Sequence, residues 1–136
     1  MSSIRPSSLL RYALLGDALA SGATGLLASA GAGLLAPVLG LPEPLLRYAG
    51  LALLPYASIV AVLGTRTSVS RGAVWAVVVI NALWTLDSVL LLASGWVAPT
   101  TLGAAFVVAQ GLVVAAFAAA QARGLGSNAP AKLARA

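Results

Sequence analysis

The chain of 136 residues contains no cysteine, no histidine and only three acidic residues. Without cysteine there is no disulfide framework, no thiolate nucleophile and no soft metal site, and without histidine the commonest metal ligand is missing too. Charged residues make up only 8% of the chain, which is too little polar surface to cover a water-soluble domain. The composition therefore argues against most enzyme chemistry, and we expect no metal and no cofactor.

Apolar residues fill most of the chain, at 60% of the total with a mean hydropathy of +1.00. A bilayer core of about 30 Å requires roughly 20 apolar residues per helix. The apolar runs predict transmembrane helices at about 9–30, 45–64, 72–94 and 101–122. The predicted fold is an all-α integral membrane four-helix bundle within 1–126, followed by a disordered tail over 127–136, which is rich in small and polar residues.

Seven of the eight basic residues lie in three short stretches, which four spans place on one face of the membrane. The three stretches contain Arg5 and Arg11, then Arg66 and Arg71, then Arg123, Lys132 and Arg135. Basic residues beside span ends are retained in the cytoplasm, so we expect both termini to be cytoplasmic. Because these cations are dispersed at span ends and not clustered with exposed aromatic residues, the pI near 10.9 does not indicate a nucleic-acid partner.

A short interfacial helix is predicted between the first two spans, over 31–41. Gly31 and Gly33 loosen this segment, and Pro37 and Pro42 interrupt it, so it is not expected to span the membrane. An apolar face would hold it on the outer membrane surface. That face consists of Leu34, Leu35, Val38, Leu39 and Leu41.

An alternative interpretation makes the first apolar run a secretory signal peptide. Arg5 and Arg11 precede it, and the Ala-Ser-Ala sequence at 28–30 has the form of a cleavage site. Against this, Asp17 interrupts the apolar run. Loss of the first helix would also place the loop arginines on the opposite side from the tail cations, so four spans are favoured.

An internal repeat aligns the first span with the third after a displacement of 64 residues. It matches Asp17 with Asn81, Ser21 with Thr85, and Thr24 with Ser88. In the second and fourth spans, Tyr56 and Gln110 lie at comparable mid-span positions. Since polar residues match as well as leucines, the repeat predicts two parallel helix hairpins related by an axis along the membrane normal.

The repeated polar residues have the spacing i, i+4 and i+7, which places each set on one helix face. A carboxylate at the membrane centre costs about 2.5 to 3.5 kcal/mol, so we expect Asp17 to face the bundle, protonated or partnered, within reach of Asn81. The set, here called the polar seam, comprises Asp17, Ser21, Thr24, Tyr56, Asn81, Thr85, Ser88 and Gln110. It is either a ligand or proton site, or a satisfied buried network that sets helix register.

Asp87 is a second intramembrane acid, six residues beyond Asn81 and therefore about 120° from the polar seam. Two explanations are open. Asp87 forms a hydrogen bond with Gln110, or it contacts a second protomer.

Small residues recur every four positions in the first and fourth spans, as in Gly16, Ala20, Thr24 and Ala28, or Gly111, Ala115 and Ala119. Such stripes let helix backbones approach closely. They predict tight packing within the bundle or between copies.

Two intramembrane aspartates invite comparison with membrane aspartyl proteases, whose GxGD motif is matched only by Gly16 and Asp17, because Leu14 stands at the first glycine. The inferred depths of Asp17 and Asp87 also differ by about 10 Å, whereas a catalytic dyad must share a proton. We therefore predict no catalytic residue.

An acid in the first of four short helices is similar to the small multidrug resistance transporters, in which one membrane acid exchanges protons for substrate. Only Asp17 corresponds. The acid of that family is a glutamate and its flanking pattern differs, so the resemblance is one of architecture.

Three segments resemble a group of small uncharacterised four-span proteins of the bacterial inner membrane. They are Leu39-Gly40-Leu41-Pro42, Leu46-Arg47-Tyr48-Ala49-Gly50 and Asn81-Ala82-Leu83-Trp84. The resemblance covers the chain except its tail and implies the fold and a bacterial cytoplasmic membrane, but no activity.

These features support two hypotheses of function. The first is an accessory or interaction protein whose partners are the lipid bilayer and a second copy or another membrane protein. The second is a proton-coupled carrier, or a binder of a lipophilic small molecule, that uses Asp17 in the polar seam. An intramembrane aspartyl hydrolase is a remote third.

Overall fold

The computed structural model describes residues 2–127 of the chain. Five helices and a pair of two-residue strands form this part: β1 (Ser3–Ile4), α1 (Ser8–Ala30), α2 (Ala32–Leu39), α3 (Glu43–Thr65), β2 (Val69–Ser70), α4 (Arg71–Ala93) and α5 (Thr101–Ser127). All helices but α2 are long and apolar enough to cross a membrane. The predicted all-α four-helix membrane bundle is confirmed, and the helix bounds lie close to the predicted spans except at the end of α5.

The four long helices pack as two hairpins, α1 with α3 and α4 with α5, and the hairpins meet through α1 and α5. This is the arrangement that the repeat predicts. In an exact repeat, α3 and α4 would pack against each other as α1 and α5 do. However, α3 and α4 are not closely packed. A lateral cleft therefore lies between α3 and α4, on the side where the symmetry of the repeat fails.

Glycines allow close contact between helices inside the bundle. A Cβ atom on Gly25 would lie 2.9 Å from the carbonyl oxygen of Gly50, and a Cβ atom on Gly124 would lie 2.9 Å from the Cβ atom of Leu10. Lipid supplies no hydrophobic drive between helices, so dispersion across such contacts stabilises the pairs. Gly25 of α1 and Gly124 of α5 are thus used in internal packing, whereas Ala119 of the predicted stripe in α5 is exposed.

One end of the bundle, here called the basic end, carries Arg11, Arg66, Arg71 and Arg123. There β1 pairs antiparallel with β2, with Ile4 opposite Val69, and both side chains are buried against Leu10 and Leu125. This strand pair was not predicted, because its two halves are far apart in sequence.

The last helix continues beyond the predicted end at 122 to Ser127. Leu125 is fully buried, and its carbonyl oxygen accepts a hydrogen bond from Arg71, so tertiary contacts extend a helix whose local composition predicts coil. The rest of the predicted tail, 128–136, lies outside the described residues.

The opposite end, here called the α2 end, is covered by α2, and a helix is present there as predicted. Its predicted apolar face is divided, however. Leu39 and Leu41 are buried in the bundle, whereas Leu34 and Val38 are exposed. The backbone N–H of Thr100 donates to the Leu39 carbonyl at 3.0 Å, so the loop before α5 holds α2 against the helix ends.

Three arginines each donate to carbonyl groups at the C-terminal end of a neighbouring helix, where four carbonyls have no partner within the helix. A cation there also opposes the negative end of the helix dipole. The bonds run from Arg11 to Gly64 of α3 (2.8 Å), from Arg47 to Ser29 of α1 (3.0 Å) and from Arg71 to Leu125 of α5 (3.3 Å). Arg47 also forms an ion pair with Glu43 at 2.7 Å.

Candidate functional site

Asp17 lies in the middle of the bundle, 1% exposed, and accepts hydrogen bonds from side chains of all four long helices. Its Oδ1 atom accepts from the hydroxyl of Ser21 at 2.9 Å. Its Oδ2 atom lies 2.8 Å from each of three donors. These donors are the Tyr56 hydroxyl, the Asn81 amide and the Gln121 amide. We call these five residues the Asp17 cluster.

The contact between Asp17 and Asn81, predicted from the repeat, is confirmed. Ser21 lies one helical turn after Asp17, so its hydroxyl is next to the carboxyl group, and the packing of α3 on α1 places Tyr56 beside it. The cluster ties the two hairpins together, because Asp17 and Tyr56 belong to one hairpin and Asn81 to the other.

Gln121 was missed by the sequence analysis, although it is fully buried. Its amide donates to Asp17, and its carbonyl oxygen accepts from the Asn81 amide at 3.0 Å. The repeat contained a signal for it, since the displacement of 64 that aligns Asp17 with Asn81 also places Tyr56 on Ala120, next to Gln121. The residue chosen as the counterpart of Tyr56 was Gln110, because it lies nearer the middle of its span.

Gln110 belongs to a second network, between α4 and α5. Its Oε1 atom accepts from the indole N–H of Trp84 at 2.7 Å, and its Nε2 atom donates to the hydroxyl of Ser88 at 2.9 Å. Thr85 donates to the Asn81 carbonyl at 3.0 Å and lies on the same interface. We call Trp84, Thr85, Ser88 and Gln110 the Gln110 cluster.

The single polar seam predicted from the sequence is therefore divided in two. Three of its members, Thr85, Ser88 and Gln110, are in the Gln110 cluster and do not contact Asp17 through hydrogen bonds. Thr24 belongs to neither cluster and lies half-buried in the cleft wall. The helical spacing placed these residues on the correct helix faces. However, residues at different depths on the same face of a helix take part in different hydrogen-bond networks.

The hydroxyl group of Tyr56 contacts two oxygen atoms of the Asp17 cluster. Tyr56 has one hydroxyl proton, yet its oxygen lies 2.8 Å from both Asp17 Oδ2 and Asn81 Oδ1. Both oxygens accept hydrogen bonds, and the Asn81 amide protons are already directed at Asp17 and Gln121. A proton on the Asp17 carboxyl, donated to the tyrosine oxygen, would make both tyrosine contacts full hydrogen bonds.

A cavity of about 450 Å³ lies beside both clusters and is lined by all four long helices. Its wall includes Asp17, Ser21, Tyr56 and Asn81 of the Asp17 cluster, and the rest is mostly apolar. A second cavity of about 320 Å³ extends toward the α2 end. The two cavities share the lining residues Thr24, Leu53, Trp84, Phe106 and Gln110, so together they form one cleft between the hairpins.

Asp87 lines the second cavity and is exposed. The predicted hydrogen bond with Gln110 is not formed, because the Gln110 amide is engaged with Trp84 and Ser88. Within residues 2–127, Asp87 has no hydrogen bond or ion pair. Its carboxylate is also not among the partners of Asp17, so the proton-sharing dyad of an aspartyl hydrolase is not formed.

Within the same described range, every buried side-chain nitrogen and oxygen atom has a hydrogen-bond partner. No group of three His, Cys, Asp or Glu residues there is arranged to hold a metal ion. The chemistry available in the cleft is therefore that of carboxyl, amide, hydroxyl and aromatic groups.

Fold and site together define a helical membrane protein with a carboxyl-centred polar network beside a lateral cleft. No protein-family model matches the chain, and comparisons with curated proteins and with solved structures found no match.

Proposed function

We propose that the protein binds a lipophilic small molecule in the cleft between its two hairpins and exchanges it for a proton held at Asp17. The observation that carries this proposal is the first cavity, about 450 Å³ in volume, with Asp17 in its wall. Small-molecule sites are concave, mostly apolar and about 300 to 1,000 Å³, with a few polar groups that orient the ligand. The cavity has these properties.

The position of the cleft supports a ligand that arrives from the membrane. The open side lies between α3 and α4, which are not closely packed. In a bilayer such an opening faces lipid, so apolar molecules dissolved there reach the cavity without crossing the basic end or the α2 end. Those two ends are filled by buried apolar side chains, including Leu10 and Val69 at one and Leu39 and Val97 at the other.

The Asp17 cluster supports the coupling to a proton. The carboxyl borders the cavity, and its contacts accommodate one additional proton through Tyr56. An intramembrane acid that is held by neutral donors and faces a cavity is a common means of proton transfer in transporters. A ligand that displaces Tyr56 or Asn81 would change the number of donors on the carboxyl and thereby its proton occupancy.

We place the protein in a bacterial cytoplasmic membrane with both termini inside. The basic residues of the basic end support this orientation, and the resemblance to small four-span bacterial proteins supports the compartment.

Binding in the cleft is tested with a substitution that fills part of the first cavity. Val113 lines the first cavity, whereas Leu112 beside it does not, and both side chains are exposed apolar groups of α5. In lipid nanodiscs, Val113→Phe should weaken binding of the fluorescent lipophile 1-pyrenemethanol by roughly tenfold through overpacking, and Leu112→Phe should leave it unchanged. Binding is measured as energy transfer from tryptophan to pyrene, with empty nanodiscs subtracted. Equal effects of the two variants, or no binding by the native protein, contradict the proposal.

The role of Asp17 in proton exchange is tested with Asp17→Asn, which keeps the side-chain shape and removes the acid. Proteoliposomes that contain a pH dye should show proton movement when 1-pyrenemethanol or its trimethylammonium analogue is added to the native protein. The variant should show none, while retaining its helix content by circular dichroism. Proton movement of native size in the variant would remove Asp17 from the mechanism.

An accessory or interaction protein is the second candidate function. The observation in its favour is again the open side between α3 and α4, which a helix of another membrane protein or of a second copy would cover. Extraction in mild detergent followed by native mass spectrometry should then recover a stoichiometric partner or a homo-oligomer. A monomer that carries a bound small molecule contradicts this candidate.

A further inference from the structure

We propose that the ligand of the cleft is a lipophilic ammonium ion and that Asp87 provides its counter-charge in the second cavity. This inference rests on the proposed function, because it assumes that the cleft binds a small molecule. It adds the chemical class of that molecule and a binding residue separate from Asp17.

The first argument is that Asp87 has no partner. An acidic side chain within a membrane-spanning helix costs free energy unless it is paired or functional. Asp87 lies within α4, six residues from its last residue, Ala93, which is about 9 Å along the helix axis. It has no hydrogen bond or ion pair with the described residues, and Gln110, its nearest candidate partner by depth, is already bonded to Trp84.

The second argument is the charge of the cleft. Its two cavities are lined by the carboxyl groups of Asp17 and Asp87 and by no lysine or arginine. The described arginines lie at the helix ends, where Arg11 and Arg47, for example, donate to backbone carbonyls. A cation that enters the cleft therefore meets only negative or neutral groups, whereas an anion would meet an unscreened carboxylate.

The third argument is the position of two aromatic rings. Trp84 and Phe106 line both cavities, and Trp84 is one turn before Asp87 on α4. Aromatic faces attract ammonium groups by about 0.5 to 2 kcal/mol at exposed to desolvated sites, and they also provide apolar contact for the body of the ligand. Carboxylate and rings together favour a molecule with one positive charge and an apolar body.

Asp17 does not fill this role, because its carboxyl group already forms four hydrogen bonds. Asp87 is the acid that is available to a ligand. The two aspartates thus have separate tasks in the same cleft: Asp17 holds the proton and Asp87 binds the cation.

The experiment compares two probes with the same aromatic body, (1-pyrenylmethyl)trimethylammonium and neutral 1-pyrenemethanol, in nanodiscs of zwitterionic lipid. The native protein should bind the cation roughly tenfold more tightly than the alcohol, as expected for a charge-assisted contact. Asp87→Asn should remove this preference without changing the affinity for the alcohol. The matched control Glu43→Gln removes the same charge outside either cavity and should keep the preference.

The outcomes separate this inference from the proposed function. Equal binding of both probes by the native protein, or an unchanged preference in Asp87→Asn, overturns the role of Asp87 and leaves the cleft as a binding site. If neither probe binds to the native protein, the proposed function itself is overturned. A native dimer that dissociates only in Asp87→Asn assigns the carboxylate to a second copy and also overturns the inference.

Discussion

At the scale of residues, the protein contains two membrane aspartates in opposite situations. Asp17 is 1% exposed and has partners on every long helix, whereas Asp87 is exposed and has none among the described residues. The difference arises from the neighbours that packing supplies. A buried polar group is stable when its hydrogen bonds are satisfied, so the Asp17 cluster stabilises the bundle as well as forming a candidate proton site.

Gln121→Leu should destabilise the fold more than Gln110→Leu. Removal of the Gln121 amide leaves one of the two Asn81 amide protons without an acceptor and Asp17 with one donor fewer. Both residues are buried, and an unpaired buried group costs about 1 to 3 kcal/mol. Gln110 is only half-buried and borders the cavities, so its partners have more freedom to rearrange. Thermal unfolding in detergent measures the difference, and a larger loss in Gln110→Leu would contradict the prediction.

The residue-scale predictions succeeded where the partner lies on a repeated helix face and failed where it depends on packing. Periodicity and the repeat were sufficient to pair Asp17 with Asn81, because equivalent helices place equivalent residues at the same depth. They were not sufficient to choose between Gln110 and Gln121, since the two glutamines lie on nearly the same face of α5. The depth of α5 in the bundle decides which one lies level with Asp17.

At the scale of elements, the arginines do more than set orientation. Arg11, Arg47 and Arg71 donate to the C-terminal carbonyls of α3, α1 and α5. A guanidinium group suits this role, because it has several donors and a charge that opposes the helix dipole. Each of these arginines therefore joins two elements that are distant in sequence.

Arg11→Ala should lower the stability of the bundle by about 1.5 to 3 kcal/mol, the range for hydrogen bonds that involve a charged group. Arg11 donates to both Gly64 and Arg66 carbonyls, at 2.8 and 3.2 Å. Arg66→Ala is the matched control, because it removes a charge at the same end while the Arg66 carbonyl stays in place. Chemical unfolding in detergent should show a clear loss for Arg11→Ala and little change for the control, and equal losses would refute the capping role.

At the scale of the whole molecule, the cleft exists because the two hairpins meet on one side only. Contact between α1 and α5 is close, with a Cβ atom on Gly16 coming within 2.9 Å of the Phe117 ring. The equivalent pair, α3 and α4, is not closely packed, although Val60 of α3 and Val74 of α4 belong to the same buried cluster and the Tyr56 hydroxyl lies 2.8 Å from Asn81 Oδ1. An approximate repeat with one open interface thus produces both the bundle and its candidate site.

The native chain lacks cysteine, so single introduced cysteines test its orientation directly. Ser68 lies in the exposed loop at the basic end and Ala98 in the exposed loop near the α2 end. In intact bacterial cells, Ala98→Cys should react with a membrane-impermeant maleimide and Ser68→Cys should react only after permeabilisation, because the basic end is retained inside. Labelling in the reverse order would contradict the predicted orientation.

The number and type of the helices were determined by the sequence alone, and so were their lengths except at the end of α5. Apolar segments in lipid must satisfy every backbone group internally, so each run of sufficient length becomes a helix whatever its neighbours. The pairing of Asp17 with Asn81 also followed, because helical periodicity is a local property.

Tertiary structure alone decided the rest: the strand pair at the basic end, the extension of α5, the entry of Gln121 into the Asp17 cluster and the opening between α3 and α4. Each depends on contacts between segments far apart in the chain, and in lipid these contacts are selected by close packing and hydrogen bonding. Neither appears in the hydropathy of a single segment. The candidate site lies at the meeting of four helices, and for that reason most of its residues were predicted from the sequence, whereas Gln121 and the shape of the site were not.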